Sequence, residues 1–397
     1  MTIRQTIIRG GMECLYFSGA YIVSRPFVGG VGAILALHHV RPPRPDRFQP
    51  NRLHEVTPQF LARLVRGLRR SGLEFITLDG MHRRMVEGDF AKRFVCLTFD
   101  DAYRDTLRFA YPVLKDAGVP FAIYVPTSFP DRLGELWWLA LEAVIARNNR
   151  IGLIIDGHDR TFECGTVAEK QALYHELYWW LRDRSTENEM RDIVRRLAVF
   201  YQVDVAAFCA ELCMDWSELA QLAADPLVTI GAHTVNHPIL LRLPKEAARS
   251  EMDLSRSVIE AALGVRPAHL SYPYGDRATS AAREFELAAE LGFKTAVTAR
   301  PGVLFSAHSQ CMTALPRIVV DGNYQRMRYL RVLVSGAATA LWNGFRRVDA
   351  AQAGHRLRNL NQALQFSLPD RGSGHPADQW HCRQYPTQSG DHIIQDR

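Results

Sequence analysis

The sequence predicts an α/β protein, a distorted barrel of about seven or eight parallel strands with a helical insertion. Short apolar segments alternate with longer segments of helical spacing, which is typical of a mostly parallel sheet covered by helices. About seven or eight such units are enough to close a sheet into a barrel. The alternation stops at residues 128–227, where the pattern is mostly helical, and this indicates an insertion.

The predicted strands are short and strongly apolar, and most are bounded by charged residues, glycine or proline. They are residues 33–37, 75–78, 94–99, 121–125, 228–230, 270–272, 295–298 and 317–320. The predicted helices outside the insertion have apolar residues at helical spacing. They are residues 58–70, 106–117, 245–263 and 280–291. Gly118 and Gly292 end two of them.

The insertion is predicted to contain helices at residues 137–146, 167–181 and 187–201. It is also predicted to contain a hairpin of residues 151–155 and 160–162 around Asp156 and Gly157. Residues 1–30 are expected to form a helical or extended segment before the barrel of residues 31–325. Residues 326–366 are expected to form C-terminal helices, and the polar residues 367–397 a disordered tail.

Composition excludes several classes of protein. Of 397 residues, 47% are hydrophobic and 23% are charged, which excludes a globally disordered chain. The net charge of +6 is mild, and the chain has no dense basic stripe with stacking aromatics, so a nucleic-acid partner is not expected. The seven cysteines contain no CxxC pair, which favours a reducing compartment and a cytoplasmic protein.

Two apolar segments raise the question of membrane contact. Residues 14–23, preceded by Arg4 and Arg9, have the length of a signal-peptide core but lack a small-x-small cleavage site. They are also shorter than the ~20 residues that span a bilayer. Residues 332–342 are flanked by five arginines. They predict either a packed helix with a basic end or a basic C-terminal helix that makes peripheral contact with a membrane.

Polar side chains follow four of the predicted strands. Because the C-terminal ends of parallel barrel strands converge on one face, these side chains are expected to form one site. They are His38 and His39, Asp100 and Asp101, His233 and His237, and Pro273 and Tyr274.

The residue types in this group suggest metal-assisted hydrolysis. Two imidazoles and one carboxylate form a facial metal site with open positions for water and substrate. The second of the adjacent aspartates could then accept a proton from the attacking water. Each feature alone has a simpler interpretation, such as a turn, a helix cap or a buried histidine. Their joint occurrence after strands favours the site.

Four segments of the chain stand out: Leu97-Thr98-Phe99-Asp100-Asp101, His233-Thr234-x-x-His237-Pro238, Tyr272-Pro273-Tyr274-Gly275 and Leu315-Pro316-Arg317-Ile318. They resemble the motifs of the NodB-type polysaccharide deacetylases, carbohydrate esterase family four. The resemblance covers about residues 31–322, with the insertion between the first and second motifs. It implies a distorted (β/α) barrel that removes N-acetyl or O-acetyl groups from sugars, as chitooligosaccharide deacetylases do.

The resemblance also implies a role for each matching residue. Asp100 is then the general base, and the backbone N–H of Tyr274 helps to stabilise the oxyanion. Asp101, His233 and His237 hold a divalent metal, which is usually zinc in that family. The partner is an acetylated oligo- or polysaccharide, and the expected substrate-binding residues are His38, His39, Tyr103, Pro273 and Tyr274.

This chain departs from the family pattern at two positions. Many members have an arginine two residues before the proline of the third motif, where this chain has Ser271. Asp100 would then lose one partner that lowers its pKa. The family's late histidine, its general acid, has no clear counterpart. Chain order favours His308, and His38 or His39 is the second candidate.

Three functions are compatible with these residues. The leading one is a metal-dependent sugar N-deacetylase acting on an N-acetylhexosamine-containing substrate. The second is another metal-dependent amidohydrolase that cleaves a non-sugar C–N bond. The third is a carbohydrate-binding barrel without catalysis. Trp137 and Trp138 are candidates for an aromatic sugar-binding surface, although a place in a helix core explains them equally well.

Overall fold

The computed structural model describes residues 3–155, 158–183 and 186–343, which belong to one compact unit. The tail predicted at residues 367–397 and the part of the predicted C-terminal helices after residue 343 lie outside the described residues. The described strands are β1 (Gly32–Leu37), β2 (His39–Val40), β3 (Glu55–Val56), β4 (Glu74–Phe75), β5 (Phe94–Phe99), β6 (Phe121–Val125), β7 (Arg150–Ile155), β8 (His158–Glu163), β9 (Val228–Ala232), β10 (His269–Ser271), β11 (Thr295–Pro301) and β12 (Leu315–Val319).

Seven parallel strands close into a barrel, as the sequence predicts. Their order is β1-β12-β11-β10-β9-β6-β5, and β5 pairs again with β1 from Gly32↔Phe94 to Leu37↔Phe99. The short strand β4 pairs with the beginning of β5. Strands β1, β5 and β6 are buried along their whole length, which explains their continuous apolar sequences.

Helices surround the barrel and form most of the insertion. They are α1 (Ile3–Phe17), α2 (Ala20–Val23), α3 (Arg25–Val28), α4 (Pro58–Arg70), α5 (Leu78–Glu87), α6 (Tyr111–Asp116), α7 (Trp137–Arg147), α8 (Val167–Arg182), α9 (Glu187–Phe200), α10 (Val205–Leu212), α11 (Trp216–Ala223), α12 (Lys245–Leu263), α13 (Ala282–Glu290), α14 (Met327–Val334) and α15 (Ala337–Asn343).

Two local predictions differ from the structure. Residues 75–78 were expected to form one strand, but β4 ends at Phe75 and α5 begins at Leu78. The reason is a helix cap, because the side chain of Thr77 accepts a hydrogen bond from the Gly80 N–H. The helix expected at residues 106–117 starts with a π-helical turn over Thr106–Ala110 before α6.

The insertion begins directly after β6, so it leaves the barrel at the C-terminal end of a strand. Its helices α7, α8 and α9 share a hydrophobic core that contains Leu141, Leu177 and Val194. Strands β7 and β8 form an antiparallel hairpin, where the sequence predicts one. The residues of its turn, 156 and 157, lie outside the described residues.

The N-terminal helix α1 packs against the C-terminal helix α14. Met12 contacts Tyr329 and Val332, and all three side chains are buried. Val332 and Val334 therefore face the protein interior, as the packed-helix interpretation expects of the first part of residues 332–342, and membrane contact by this segment stays a prediction. Within the described part of the chain, no helix is both long and apolar enough to cross a membrane.

Candidate active site

The three residues expected to bind a metal come together at the C-terminal ends of β5 and β9. Oδ1 of Asp101 lies 3.6 Å from Nε2 of His233 and 3.4 Å from Nε2 of His237. One ligand atom from each of the three buried residues lies within 4.8 Å of the other two. The structure thus forms one compact cluster from residues on two strand ends.

The loops that present these ligands adopt an uncommon backbone conformation. The φ angles of Asp101, Thr234 and His237 are 70°, 67° and 54°, in the left-handed region that costs a non-glycine residue roughly 1 kcal/mol or more. Local contacts hold the second loop in this shape, because the His237 N–H donates to Oγ1 of Thr234 at 3.1 Å. Strain of this kind often occurs where function fixes a side-chain direction.

The donor atoms of the cluster suit a divalent cation. Nδ1 of His233 lies 2.6 Å from the carbonyl oxygen of Ser271, so Nδ1–H donates and the Nε2 lone pair faces Asp101. Burial lowers the pKa of both His233 and His237, which keeps the rings in the neutral form that binds metals.

The carboxylate of Asp101 supports the same conclusion. Its Oδ1 is buried and has no hydrogen-bond partner among the described residues, although buried acceptors nearly always have one. Burial, and then the negative charge of Asp100, raise the pKa of Asp101 to about 8. A cation in the cluster would favour the ionised carboxylate and satisfy this oxygen. The residues present therefore fit the metal that the motifs imply.

Asp100 is held by an arginine that the sequence did not identify as its partner. Nη1 and Nη2 of Arg317 donate to Oδ1 and Oδ2 of Asp100, both at 2.7 Å. Burial alone would raise the pKa of Asp100, but the Arg317 guanidinium outweighs it and the net shift is downward. Ser271 cannot supply the cation itself, as expected, but Arg317 supplies it in its place, so Asp100 keeps a partner that lowers its pKa.

The position of Ser271 explains how Arg317 takes this place. Nη2 of Arg317 also donates to Oγ of Ser271 at 3.0 Å, and its Nε donates to the Thr298 carbonyl at 2.9 Å. The guanidinium extends from β12 across β11 into the barrel interior, towards the small side chain on β10. Arg317 belongs to the Leu315-Pro316-Arg317-Ile318 segment that resembles a family motif. The sequence therefore did contain a signal for this arginine.

The adjacent histidines 38 and 39 have different surroundings. Nε2 of His38 lies 4.0 Å from Oδ2 of Asp100, and its ring contacts that of His54, with centroids 4.5 Å apart. Nδ1 of His39 instead lies 2.6 Å from Oδ2 of Asp105. His38 is therefore beside the site, whereas the ring of His39 is paired with the half-buried carboxylate of Asp105. The sequence analysis did not identify His54.

Two other residues predicted to bind substrate are enclosed by protein. Tyr103 is only 2% exposed and stacks on His39 with ring centroids 3.6 Å apart. Pro273 is also buried. His39, Tyr103 and Pro273 thus lie in the walls of the site, as buried as the metal-ligand cluster itself, and their contact with substrate stays a prediction.

Tyr274 does lie at the metal-ligand cluster. Its ring centroid is 4.8 Å from that of His237, and its hydroxyl accepts a hydrogen bond from Nε1 of Trp137 at 2.7 Å. Its φ angle of 61° turns the backbone sharply at the third motif. The backbone N–H of Tyr274 has no acceptor among the described residues, which leaves it free to bind an oxyanion.

His308 lies at the opposite end of the barrel. It follows Leu304, whose N–H donates to the carbonyl of Gly32 at the first residue of β1, whereas the site follows the last residue of that strand. The length of β1 separates the two by roughly 16 Å. Nδ1 of His308 accepts from the Phe305 N–H. The assignment of His308 as general acid is therefore wrong.

Residues of the insertion complete one side of the site. The ring of Trp138 is 5.4 Å from that of His237. Nη2 of Arg191 donates to the carbonyl oxygens of Asn236 at 2.8 Å and of His237 at 3.5 Å. Arg182 lies 4.8 Å above the ring of Tyr274. The insertion therefore holds the ligand loop and the third motif.

Comparison with a family model identifies the class of protein. The polysaccharide deacetylase model matches residues 87–296, which is more than half of the chain. The chain therefore belongs to the polysaccharide deacetylase family, as the resemblance of its motifs predicts, and deacetylation of a polysaccharide is the activity that this family supports. Comparison with curated protein sequences finds no significant match.

The solved structures that match this chain include the following three. The deacetylase PplD of Streptococcus pyogenes, in complex with acetate, is 17% identical with a TM-score of 0.49, over 76% of this chain and 97% of that chain. IcaB from Ammonifex degensii is 16% identical with a TM-score of 0.46, over 76% and 97%. A de-N-acetylase from Aggregatibacter actinomycetemcomitans is 12% identical with a TM-score of 0.48, over 76% and 99%.

Proposed function

We propose that the protein is a metal-dependent deacetylase that removes N-acetyl groups from N-acetylhexosamine units of an oligo- or polysaccharide. The observation that supports this most strongly is the cluster of Asp101, His233 and His237 beside the Arg317-bound carboxylate of Asp100. A divalent cation, which we propose to be zinc, would be held by the cluster. When bound it would polarise the acetyl carbonyl and increase the acidity of water.

Asp100 is proposed as the general base. A carboxylate that Arg317 keeps ionised can accept a proton at Oδ2 from a water molecule while the water oxygen attacks the acetyl carbon. The backbone N–H of Tyr274 would stabilise the negative charge that develops on the carbonyl oxygen. The C–N bond then breaks, and the products are acetate and a free amine on the sugar.

His38 is proposed as the group that returns the proton to the leaving nitrogen. Nε2 of His38 is close to Oδ2 of Asp100, so a proton taken from water can pass to this ring and then to the amine. Burial, and then the neighbouring His54, lower the pKa of His38, which makes its protonated form a stronger acid. This replaces the earlier assignment to His308.

The residues of the insertion supply a surface for a sugar ring. Trp138 is half-buried beside His237, and aromatic faces commonly pack against the apolar faces of sugars. Trp137, in contrast, is buried and donates to Tyr274, so it supports the site from behind. The Arg317 pair also removes Ser271 as an argument for a barrel without catalysis.

Acetate release from a panel of substrates tests the proposal. The purified chain with a divalent metal is incubated with chito-oligosaccharides, with polymeric poly-N-acetylglucosamine and with small cyclic amides. We expect acetate from the sugars, and at least about 100-fold less from Asp100→Asn because the base is lost. Release of product only from cyclic amides would contradict the sugar assignment. Equal activity of Asp100→Asn would contradict the mechanism.

A further inference from the structure

Exposed apolar side chains are concentrated on the N-terminal helices. Ile7 and Phe17 on α1 are 69% and 73% exposed, and Ile22 and Val23 on α2 are 59% and 73% exposed. Leu341 on α15 is also exposed, and α15 packs against both α1 and α2. We call these five residues the N-terminal patch. Single exposed apolar residues are common, but a group of this kind marks an interaction surface.

The patch continues along one face of α1. Between Ile7 and Phe17, the exposed residues Gly11 and Cys14 follow at helical spacing and are uncharged. The other face of α1 is fixed to the protein, because Met12 is buried against Tyr329 and Val332 of α14. The helix therefore presents an apolar stripe to the outside while its opposite side is packed.

The surroundings of the patch are cationic. Residues 3–31 and 322–343, which contain the five helices of this region, include six arginines, one glutamate and no lysine or aspartate. The glutamate, Glu13, is neutralised by an ion pair with Arg328. The side chains of Arg9, Arg25 and Arg326 are exposed. An apolar surface with an excess of arginines is complementary to a lipid bilayer that contains anionic headgroups.

We propose that the N-terminal patch docks the protein onto an anionic lipid bilayer. Phe17, Ile22 and Val23 would enter the boundary between headgroups and acyl chains, and the exposed arginines would contact lipid phosphates. This docking is compatible with catalysis, because α3 ends just before β1 begins and the site lies beyond the other end of β1. The catalytic end of the barrel would therefore remain accessible to a polymeric substrate.

The insertion supplies a matched control surface. Ile154, Val199 and Phe200 are 65%, 78% and 76% exposed, so they are as apolar and accessible as the patch. Between residues 150 and 204, however, acidic residues outnumber basic ones. Apolar exposure alone would make both surfaces bind lipid, whereas the proposal requires binding through the N-terminal patch.

Vesicle flotation with the full chain tests the proposal. Wild type is mixed with phosphatidylcholine vesicles, with or without phosphatidylglycerol, at low and high salt. We expect binding to the anionic vesicles, weakened by salt because the arginine contacts are screened. Phe17→Ser/Ile22→Ser should reduce the bound fraction about ten-fold, and Arg9→Gln/Arg25→Gln should reduce it at low salt. Val199→Ser/Phe200→Ser should bind as wild type does.

Several results would overturn the proposal. These are the absence of wild-type binding to anionic vesicles, and an equal loss of binding in the control variant. A third is a dimer in sedimentation that Phe17→Ser/Ile22→Ser dissociates, since the patch would then join two copies of this chain. Acetate release from a soluble oligosaccharide should remain unchanged in all these variants, which shows that each is folded and separates this test from that of the proposed activity.

Discussion

The guanidinium of Arg317 on β12 and the carboxylate of Asp100 after β5 form a two-point ion pair across the barrel interior, with both N–O distances 2.7 Å. Both side chains are buried, at 2% and 4% exposure. The pair connects residues 217 positions apart in the chain. It places a positive charge beside Asp100 although the third motif has serine at the position where arginine is usual.

Replacement of Arg317 by methionine should impair the base directly. The buried Asp100 would lose its cation, so its pKa would rise and the protonated, inactive form would persist to higher pH. We expect kcat/KM to fall at least about 100-fold and the acidic limb of its pH profile to move to higher pH. The control Ser271→Ala removes a 3.4 Å contact to Asp100 and a 3.0 Å hydrogen bond from Arg317 but leaves the ion pair itself in place, so it should change both much less. An unchanged acidic limb in Arg317→Met would contradict this role.

Arg191 should affect the metal site without touching the metal. Arg191→Met removes the donor that binds the carbonyl oxygens of Asn236 and His237, so the ligand loop should lose its fixed position. We expect about a ten-fold weaker affinity for zinc, as for other residues that orient ligands, measured by competition with a chelating dye. Arg195 provides a comparison, because it binds the same Glu135 but is 54% exposed. If Arg191→Met and Arg195→Met bind zinc with equal affinity, the proposed role of Arg191 is contradicted.

The two candidate proton donors predict opposite kinetic results. His38→Gln should lower kcat about 100-fold or more, because proton transfer to the leaving nitrogen is lost. His308→Gln should leave kcat nearly unchanged, since this ring lies at the other end of the barrel. Steady-state acetate release from one oligosaccharide compares them. A large loss in His308→Gln with normal activity in His38→Gln would reverse the assignment.

Trp138 should act on substrate binding more than on chemistry. Trp138→Ala removes an aromatic face next to His237, and we expect KM for an oligosaccharide to rise about ten-fold, which corresponds to roughly 1.4 kcal/mol, with a smaller change in kcat. Trp179→Ala removes a ring of the same type that is 44% exposed on α8 and should not change KM. If both variants have wild-type KM values, the sugar does not contact Trp138.

The barrel was predictable because its strands are buried on both faces. Residues 94–99 and 121–125 are continuously apolar, and they coincide with β5 and β6. Strands β2, β3 and β4 have only two residues each, which is too short for a recognisable pattern. The strand predicted at residues 75–78 ends at Phe75 because Thr77 caps α5 by accepting a hydrogen bond from the Gly80 N–H. Hydrophobic periodicity does not reveal a local hydrogen bond of this kind.

The site was predictable where its residues follow strands and less so where distant segments meet. Asp101, His233 and His237 come together because parallel strand ends converge. Arg317 reaches Asp100 only because its long side chain extends past β11. The sequence around Arg317 does not show in which direction this side chain extends. Chain order alone suggests that His308 reaches the site, whereas the segment after β11 returns to the beginning of β1.

Metal content after gel filtration tests the central claim most directly. The account predicts close to one zinc, or another divalent ion, per chain in wild type, Asp100→Asn and His308→Ala, and at least about ten-fold less in His237→Ala because a ligand is lost. Activity should return on metal addition to stripped wild type but not to stripped Asp100→Asn. Equal metal content in wild type and His237→Ala, or full activity of a metal-free wild type, would contradict the account.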